Sequence, residues 1–167
     1  MKRIITLITI IAITFSTSIL HAENIENIFS DISKEKKAEN VKVGGLLMSF
    51  AKMFANKDKD KEGAQMLKCI NSIQVIDLDY TDSSKKNHYM SRLNKLNDEK
   101  GFETLVRVKD KEDNVRIMLK RDGNKIKGFY IVNIDNESIS AVKILGNFNP
   151  EDIDKLINDY NKDNKKG

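Results

Sequence analysis

Two aspartates, Asp77 and Asp79, are the residues of this sequence best spaced for acid–base chemistry. They alternate with Ile76, Leu78 and Tyr80 in a strand-like run, so both carboxylates should lie on the same side of a strand. Two carboxylates can divide the roles of acid and base in glycoside hydrolysis. Alternation produces the same pattern on any strand that faces water. Hydrolysis is therefore kept as an alternative function, beside a plain water-facing strand.

Three other features have the residue types of reactive or metal sites. Residues 58–63 imitate the first half of a calcium loop, but its twelfth position is Cys69, where a bidentate carboxylate is normally required. Cys69 is the only cysteine, and His88 is the only histidine beyond the N-terminal segment. A zinc site or a thiol nucleophile would need more partners of these types. We therefore expect no disulfide, metal or cofactor, with Cys69 in the core and His88 on the surface.

Alternation in the second half of the chain suggests a binding surface. If Val115, Ile117 and Leu119 point toward the helices, their neighbours point outward. The outer face would then combine basic and apolar side chains, namely Arg107, Arg116, Met118, Lys120, Lys127 and Phe129. Exposed apolar groups ringed by charge are typical of a contact surface for a protein partner, a second copy or an anionic lipid. The alternative is an ordinary outer face, on which Lys and Arg stems cover scattered apolar residues.

Helical spacing of apolar residues predicts four helices before the last four strands and one at the end of the chain. The apolar positions are Ile25, Ile28, Phe29 and Ile32; Leu47, Phe50, Ala51 and Phe54; Met66, Leu67 and Ile70 in a short helix; Tyr89, Leu93 and Leu96; and Ile153, Leu156, Ile157 and Tyr160. Leu46 and Met53 widen the second stripe and indicate deep burial. Space between this second helix and the sheet would suit a lipid or small-ligand carrier, which is a third hypothesis.

Strand-like runs predict an antiparallel sheet. A short extended piece at 40–43 and the run at 73–80 precede four runs at 102–109, 115–121, 126–134 and 139–145, which are separated by short polar turns. Such turns join antiparallel neighbours, so the last four strands should form a meander. Helices dominate the first half and hairpin-connected strands the second. The predicted fold class is α+β, with the helices packed on one face of an antiparallel sheet.

Several short motifs resemble a known family. They are the run at 101–110 (GFETLVRVKD), the run at 125–128 (KIKG), Ile144-Leu145-Gly146 before Pro150, and Val43 to Leu47 near the start. Together they resemble the small exported proteins of Bacteroidetes grouped as domain of unknown function 4252. The resemblance covers nearly all of the chain after its N-terminal segment. It implies bacterial export and a single α+β domain, and it carries over no catalytic residue.

The first 22 residues have the pattern of a secretory signal peptide. Lys2 and Arg3 precede an apolar run from Ile4 to Phe15, and Ala22 supplies a small residue for cleavage. The run is shorter than the roughly 20 apolar residues that a transmembrane helix needs, so a retained membrane anchor is the weaker interpretation. We expect cleavage after Ala22, a single domain at 23–167 without a transmembrane helix, and a disordered tail at 162–167. The compartment would be the periplasm or the extracellular space.

The charge balance excludes little by itself. Residues 1–22 hold two of the 29 basic residues and none of the 25 acidic ones, so the remainder is nearly neutral. Export also argues against a nucleic-acid partner, whatever the charge. The leading hypothesis is a non-enzymatic exported protein that binds an envelope protein or lipid, of undetermined oligomeric state.

The N-terminal prediction can be tested directly. Protein recovered from the bacterial host should begin at Glu23 in N-terminal sequencing, because Ala22 precedes the expected cut. Replacing Ala22 with Lys should leave the uncleaved precursor as the main product. Recovery of native protein that still begins at Met1 would contradict the signal-peptide assignment.

Overall fold

The computed structural model describes residues 23–54, 67–80, 82–99, 101–109, 114–151 and 153. Its helices are α1 (Ile25–Ile32), α2 (Gly45–Phe54) and α3 (Ser83–Lys95). Its strands are β1 (Glu39–Gly44), β2 (Ile70–Asp79), β3 (Phe102–Lys109), β4 (Asn114–Asp122), β5 (Lys125–Ile134) and β6 (Ser138–Phe148). Residues 67–69 and the stretch that begins at Pro150 are also helical.

The six strands form one antiparallel sheet in the order β1-β2-β6-β5-β4-β3. The predicted meander of four strands is confirmed as β3 to β6, and β2 adds to the free side of β6. β1 then pairs with β2, so β1 and β3 are the two edges. The predicted α+β class with an antiparallel sheet is confirmed.

Helix α1 forms where the sequence predicts it. Asn24 caps the helix, because its Oδ1 accepts hydrogen bonds from the backbone N–H groups of Glu26 and Asn27 at 2.7 and 3.2 Å. All four apolar residues of the predicted stripe are buried, Ile25, Ile28, Phe29 and Ile32. The helix therefore contributes one complete face to the core.

Helices α1 and α3 cover the same face of the sheet, which we call the inner face. Helix α3 packs there beside α1 through Tyr89, Leu93 and the residue that follows the helix, Leu96. The sheet contributes alternate residues of its strands, namely Ile76, Leu78, Met118, Tyr130, Val132, Ile134, Ile139 and Ala141. Phe29 and Tyr130 meet edge to face, with ring centroids 5.5 Å apart. The main core therefore lies between this pair of helices and the sheet.

Helix α2 is placed differently from the expectation of deep burial. Leu46, Leu47 and Met53 are exposed over 78%, 63% and 69% of their surfaces, and Met48 is the buried residue of the helix's described side chains. Gly45 begins the helix with φ of 55°, so the chain turns sharply at the end of β1. The helix contacts β1 and β2 rather than the main core. Burial of its whole apolar stripe was a wrong prediction.

Several sequence predictions fall outside the described residues. They are the segment 1–22, the calcium-like loop at 58–63, the apolar positions Leu156, Ile157 and Tyr160, and the tail at 162–167. The side chains of Phe50 and Phe54, on which the carrier hypothesis depends, also lie outside them.

Close backbone approach at Gly146 provides a test of the packing. A Cβ there would collide with the carbonyl oxygen of Cys69 and stand 2.8 Å from two ring atoms of Phe148. We expect Gly146→Ala to lower the free energy of unfolding by about 1–3 kcal/mol, as overpacking does. Urea unfolding monitored by circular dichroism measures the change.

The matched control is Gly123→Asn. Gly123 lies in the turn between β4 and β5 with φ of 58°, and no atom stands within 4 Å of the Cβ position. Asn tolerates this left-handed conformation, so the control should cost less than about 1 kcal/mol. Equal losses in both variants would argue against the close contact.

Candidate functional site

An unbroken apolar row crosses the other face of the sheet, which we call the outer face. Residues directly paired in an antiparallel ladder project from the same face, so the register of the five ladders defines the row. Its members are Val41, Val75, Val142, Ile131, Ile117 and Val106, one from each strand. None of the six is fully buried, and the edge residues Val41 and Val106 are exposed over 61% and 38% of their surfaces. We call this row the apolar band.

One side of the band is covered by the chain itself. The next row toward the Gly44 end of the strands contains Val43, Ile73, Ile144, Phe129 and Leu119. Leu119 is buried there with Ile126 and Phe148 in a small second core. Cys69, Ile70 and Ile153 pack against this cluster. Cys69 is thus a partly buried packing residue at the margin of the outer face.

The other side of the band is polar and partly acidic over four of the six strands. The row beyond it begins with Glu39, Asp77, Ser140 and Asn133 and ends with Val115 and Val108. Ser140 Oγ donates a hydrogen bond to Asp77 Oδ1 at 2.7 Å. The buried Oδ1 of Asn133 has no hydrogen-bond partner in the described structure. Carboxylates rather than the expected basic groups therefore border the band on this side.

The predicted binding residues do not come together on the outer face. Phe129 lies there, and Lys127 lies at a β-bulge where its Nζ donates to Asn147 Oδ1 at 2.6 Å. The outward direction predicted for the four remaining residues was wrong, because Arg107, Arg116, Met118 and Lys120 face the helices. In β4 the apolar residues Val115 and Ile117 point outward instead. The six residues form no single surface.

A β-bulge explains part of the wrong direction in β3. The register shifts between Thr104 and Val106, so Leu105 is the extra residue. Phe102 packs against the core and Thr104 bonds to Arg116, whereas Val106 pairs with Ile117 in the apolar band. A sequence read by strict alternation cannot show this change of face.

Arg116 is buried in the core, and no carboxylate of the described residues bonds to it. Only 1% of its surface is exposed. Its Nη2 donates to the backbone carbonyl of Leu93 at 2.9 Å, and its Nη1 donates to the hydroxyl of Thr104 at 3.3 Å. Its Nε has no hydrogen-bond partner in the described structure. Burial, followed by the charge of Arg107, lowers the pKa of this guanidinium.

A second guanidinium stands beside it at the end of α3. Arg107 is paired with Arg116 across the β3–β4 ladder, and its Nη2 donates to the carbonyl of Leu96 at 3.2 Å. Because α3 ends at Lys95, both arginines meet carbonyl groups at the negative end of the helix dipole. This pair is therefore a helix-end support and contributes no basic patch to the outer face.

Lys120 is bonded to the first turn of α1. Its Nζ donates to Glu26 Oε1 at 2.7 Å, and Tyr130 Oη donates to the same oxygen at 2.7 Å. The Lys120 hydrogen bond is the largest cause that lowers the pKa of the Glu26 carboxyl. Burial raises the pKa of the Tyr130 hydroxyl, and the bond to Glu26 raises it further. Lys120 therefore joins the sheet to α1.

The surface between α1 and α3 carries a dense set of ion pairs. Arg92 of α3 bonds to both Glu23 oxygens at 2.9 and 3.0 Å, and it also pairs with Asp31 at 2.9 Å. Glu35 accepts from Lys85 and from the hydroxyl of Tyr89, and its carboxyl pKa is lowered chiefly by Lys85. These contacts fix the two helices to each other.

His88 lies on this surface. It is exposed, and its ring stands edge to face with that of Tyr89 at 5.0 Å. It borders a shallow groove of about 400 Å³ with charged residues of both helices. Its surface position agrees with the sequence expectation.

Asp79 lines an open cleft at the end of β2. The cleft has a volume of about 760 Å³, and its other lining residues are Lys37, Tyr80, Asn136 and Glu137. Tyr80 Oη donates to the carbonyl of Asp135 at 2.5 Å, and burial together with the Asp135 charge raises the pKa of Tyr80 to about 12. Asp77 lies on the same face of β2 but bonds to Ser140 at the margin of the band.

Among the described residues, no group of three or more His, Cys, Asp or Glu side chains is placed to hold a metal ion. Within the same part of the chain, no helix is long and apolar enough to cross a membrane.

The family model for a domain of unknown function (DUF4252) matches residues 29–156, which is more than half of the chain. The chain belongs to this family. The matched span of the DUF4252 domain contains the second half of α1, all six strands, α2 and α3. No curated protein and no solved structure gives a significant match. The function of this DUF4252 domain must therefore be argued from its own surfaces.

The pKa of Glu26 predicts how the bond to Lys120 contributes to stability. Because the folded-state pKa lies below the ordinary pKa of a glutamate carboxyl, this contribution is fully present above that ordinary value and is lost as the pH falls through the folded value. Glu26→Gln keeps an acceptor for Tyr130 but removes the charge. We expect this variant to be less stable by about 0.5–1 kcal/mol at pH 7, since the site is partly exposed, and nearly unchanged at strongly acidic pH.

Urea unfolding of both proteins at a series of pH values measures this difference. Glu103→Gln is the control, because its pair with Arg121, at 2.8 Å, is about as exposed as the pair of Glu26 with Lys120, whereas Glu26 also accepts from the buried Tyr130. The control should change stability by less than about 0.5 kcal/mol. A Glu26→Gln loss that stays constant from neutral to acidic pH would show that charge is not the cause.

Proposed function

We propose that this DUF4252 domain is an exported, non-enzymatic binding protein that holds another envelope protein through the apolar band. The main support is that six Val and Ile side chains form a row across all six strands and that none of them is fully buried. Monomeric soluble proteins rarely leave a large contiguous apolar patch without a function. The band therefore favours a contact surface.

The shape of the band favours a protein partner over a small ligand. Neighbouring strands lie about 4.8 Å apart, so six strands span about 24 Å. Small-molecule sites are usually concave and enclose most of the ligand. The band instead crosses a sheet whose edge residues Val41 and Val106 are both exposed. A face of this width suits one side of a standard protein interface, which buries roughly 800 Å² per partner.

The border of the band defines the chemistry of that partner. Glu39 and Asp77 are directly paired beside the band at the β1–β2 side. Their charges favour a partner with an apolar centre and basic groups at the matching margin. This replaces the basic rim expected from the sequence. The proposed contact residues are accordingly Val41, Val75, Val142, Ile131, Ile117 and Val106.

The surroundings of the carboxylate pair support binding over hydrolysis. Asp77 accepts a hydrogen bond from Ser140 and faces a paired carboxylate, Glu39, across the strand ladder. It lies at the border of a sheet face, whereas Asp79 alone lines the neighbouring cleft. A divided acid and base would need a substrate held between the two groups. We therefore assign Asp77 to the rim of the binding surface.

The proposed location follows from the N-terminal sequence. The charged start, the apolar run and Ala22 support export through a cleavable signal peptide. The partner would then be a protein of the periplasm or of the outer surface of the cell.

Charged substitutions at the two exposed ends of the band test the proposal. Val41→Lys combined with Val106→Lys should leave the fold intact, because both side chains are exposed on edge strands. Burying the new charges in an interface would be costly, so we expect recovery of the partner to fall at least about tenfold. Cross-linking in intact cells, affinity capture of the tagged protein and quantitative mass spectrometry measure the recovery.

Asn87→Lys provides the matched control. Asn87 is exposed, as Val41 is, but it lies on α3 outside the band. A partner lost with the band variant and retained with the control would support the assignment. If every protein captured with the native protein were captured in the same amount with the band variant, the assignment would be contradicted. Substituting Lys120 would be uninformative, since that residue bonds to Glu26 on the inner face.

A further inference from the structure

Helix α2 exposes large apolar side chains at the corner of the sheet where β1 ends. Leu46, Leu47 and Met53 are exposed over most of their surfaces, and Ala51 is exposed as well. The helix begins where β1 ends, at the pair Gly44 and Ser72, and it packs on β1 and β2. This arrangement places its apolar side chains at one end of the sheet.

The charged side chains that the structure describes at this corner are lysines. Residues 40–56 contain two lysines and no acidic residue, and residues 67–76 contain one lysine and no acidic residue. Lys42 of β1 and Lys68, just before β2, are both exposed. The nearest carboxylates of these two strands are Glu39 and Asp77, which pair with each other. Glu39 lies five residues from Gly44, or about 17 Å along the strand.

We propose that this corner, comprising α2 with Lys42 and Lys68, docks on the surface of an anionic lipid bilayer. The leucines and Met53 would enter the boundary between head groups and acyl chains, and the lysines would neutralise lipid phosphates. α2 is ten residues long, or about 15 Å, which is half of a hydrocarbon core. The helix therefore lies in the membrane surface and does not span it.

Charge decides between a membrane and a second copy of the chain. A twofold contact between copies brings the same patch of each copy together. Lys42 and Lys68 would then lie near their own counterparts, and like charges disfavour such a contact. An anionic bilayer supplies both the apolar phase and the opposite charge. This inference is independent of the band, because it depends on different residues.

Vesicle co-flotation tests the proposal with the native chain. The probes are vesicles of phosphatidylcholine with phosphatidylglycerol and vesicles of phosphatidylcholine alone. Native protein should float with the anionic vesicles, and Leu46→Glu combined with Leu47→Glu should weaken binding at least about tenfold. Any contribution of the N-terminal apolar run is common to both proteins, so the difference isolates α2. Circular dichroism and thermal unfolding verify that the variant is folded.

Lysine variants separate the two parts of the interaction. Lys42→Gln combined with Lys68→Gln should weaken binding to anionic vesicles by about fivefold for each lysine and should have no effect on neutral vesicles. Lys109→Gln combined with Lys125→Gln is the matched control, since both of these exposed lysines lie elsewhere on the sheet. The control should bind as native protein does.

Three outcomes would overturn the proposal. The first is equal flotation of native protein and the leucine variant. The second is no flotation of native protein with anionic vesicles, which would leave an acidic protein as the fitting partner. The third is a dimer in light scattering that the leucine variant abolishes while vesicle binding is absent. Val41→Lys with Val106→Lys should float normally, so failure of the band and failure of the α2 surface are distinguishable.

Discussion

The bond between Arg116 and the C-terminal end of α3 determines which way β4 faces. A buried guanidinium is costly unless carbonyl or carboxylate groups surround it. Here the carbonyl of Leu93 accepts its hydrogen bond, and the end of α3 supplies favourable partial charge. With Arg116 inside, alternation places Val115 and Ile117 outside. Burial of the polar Arg116 on the inner face thus leaves apolar residues of β4 on the outer face, where Ile117 joins the apolar band.

The inner face holds a second polar anchor at the other end of β4. Lys120 bonds to Glu26 in the first turn of α1, and Tyr130 donates to the same carboxylate. β4 is therefore connected to the beginning of α1 and to the end of α3. Arg92 then links these two helices through Glu23 and Asp31. The helix pair is held on the sheet by directional contacts at its ends as well as by the apolar core between them.

The sequence predicts the order of elements well because local patterns determine it. The apolar stripe of α1, the polar turns of the meander and the α+β class all follow from residues near each other in the chain. The faces of β3 and β4 could not be predicted in this way. The rule that apolar residues point inward fails at two places. The end of α3, which is far from Arg116 in the sequence, supplies the carbonyl that accepts its hydrogen bond, and the bulge at Leu105 reverses the alternation in β3. The candidate site depended on those faces, so Phe129 alone of its six residues clearly lies where it was expected.

The distribution of charge along the strands relates the two proposed surfaces to each other. Lys42 and Lys68 lie toward the α2 end of β1 and β2, whereas Glu39 and Asp77 lie toward the opposite end. An anionic bilayer would attract the first end and repel the second, so the strands would stand away from the membrane. The apolar band runs across the strands between these two ends. Docking through α2 would therefore leave the band open from the side, where a partner bound to the same membrane could reach it.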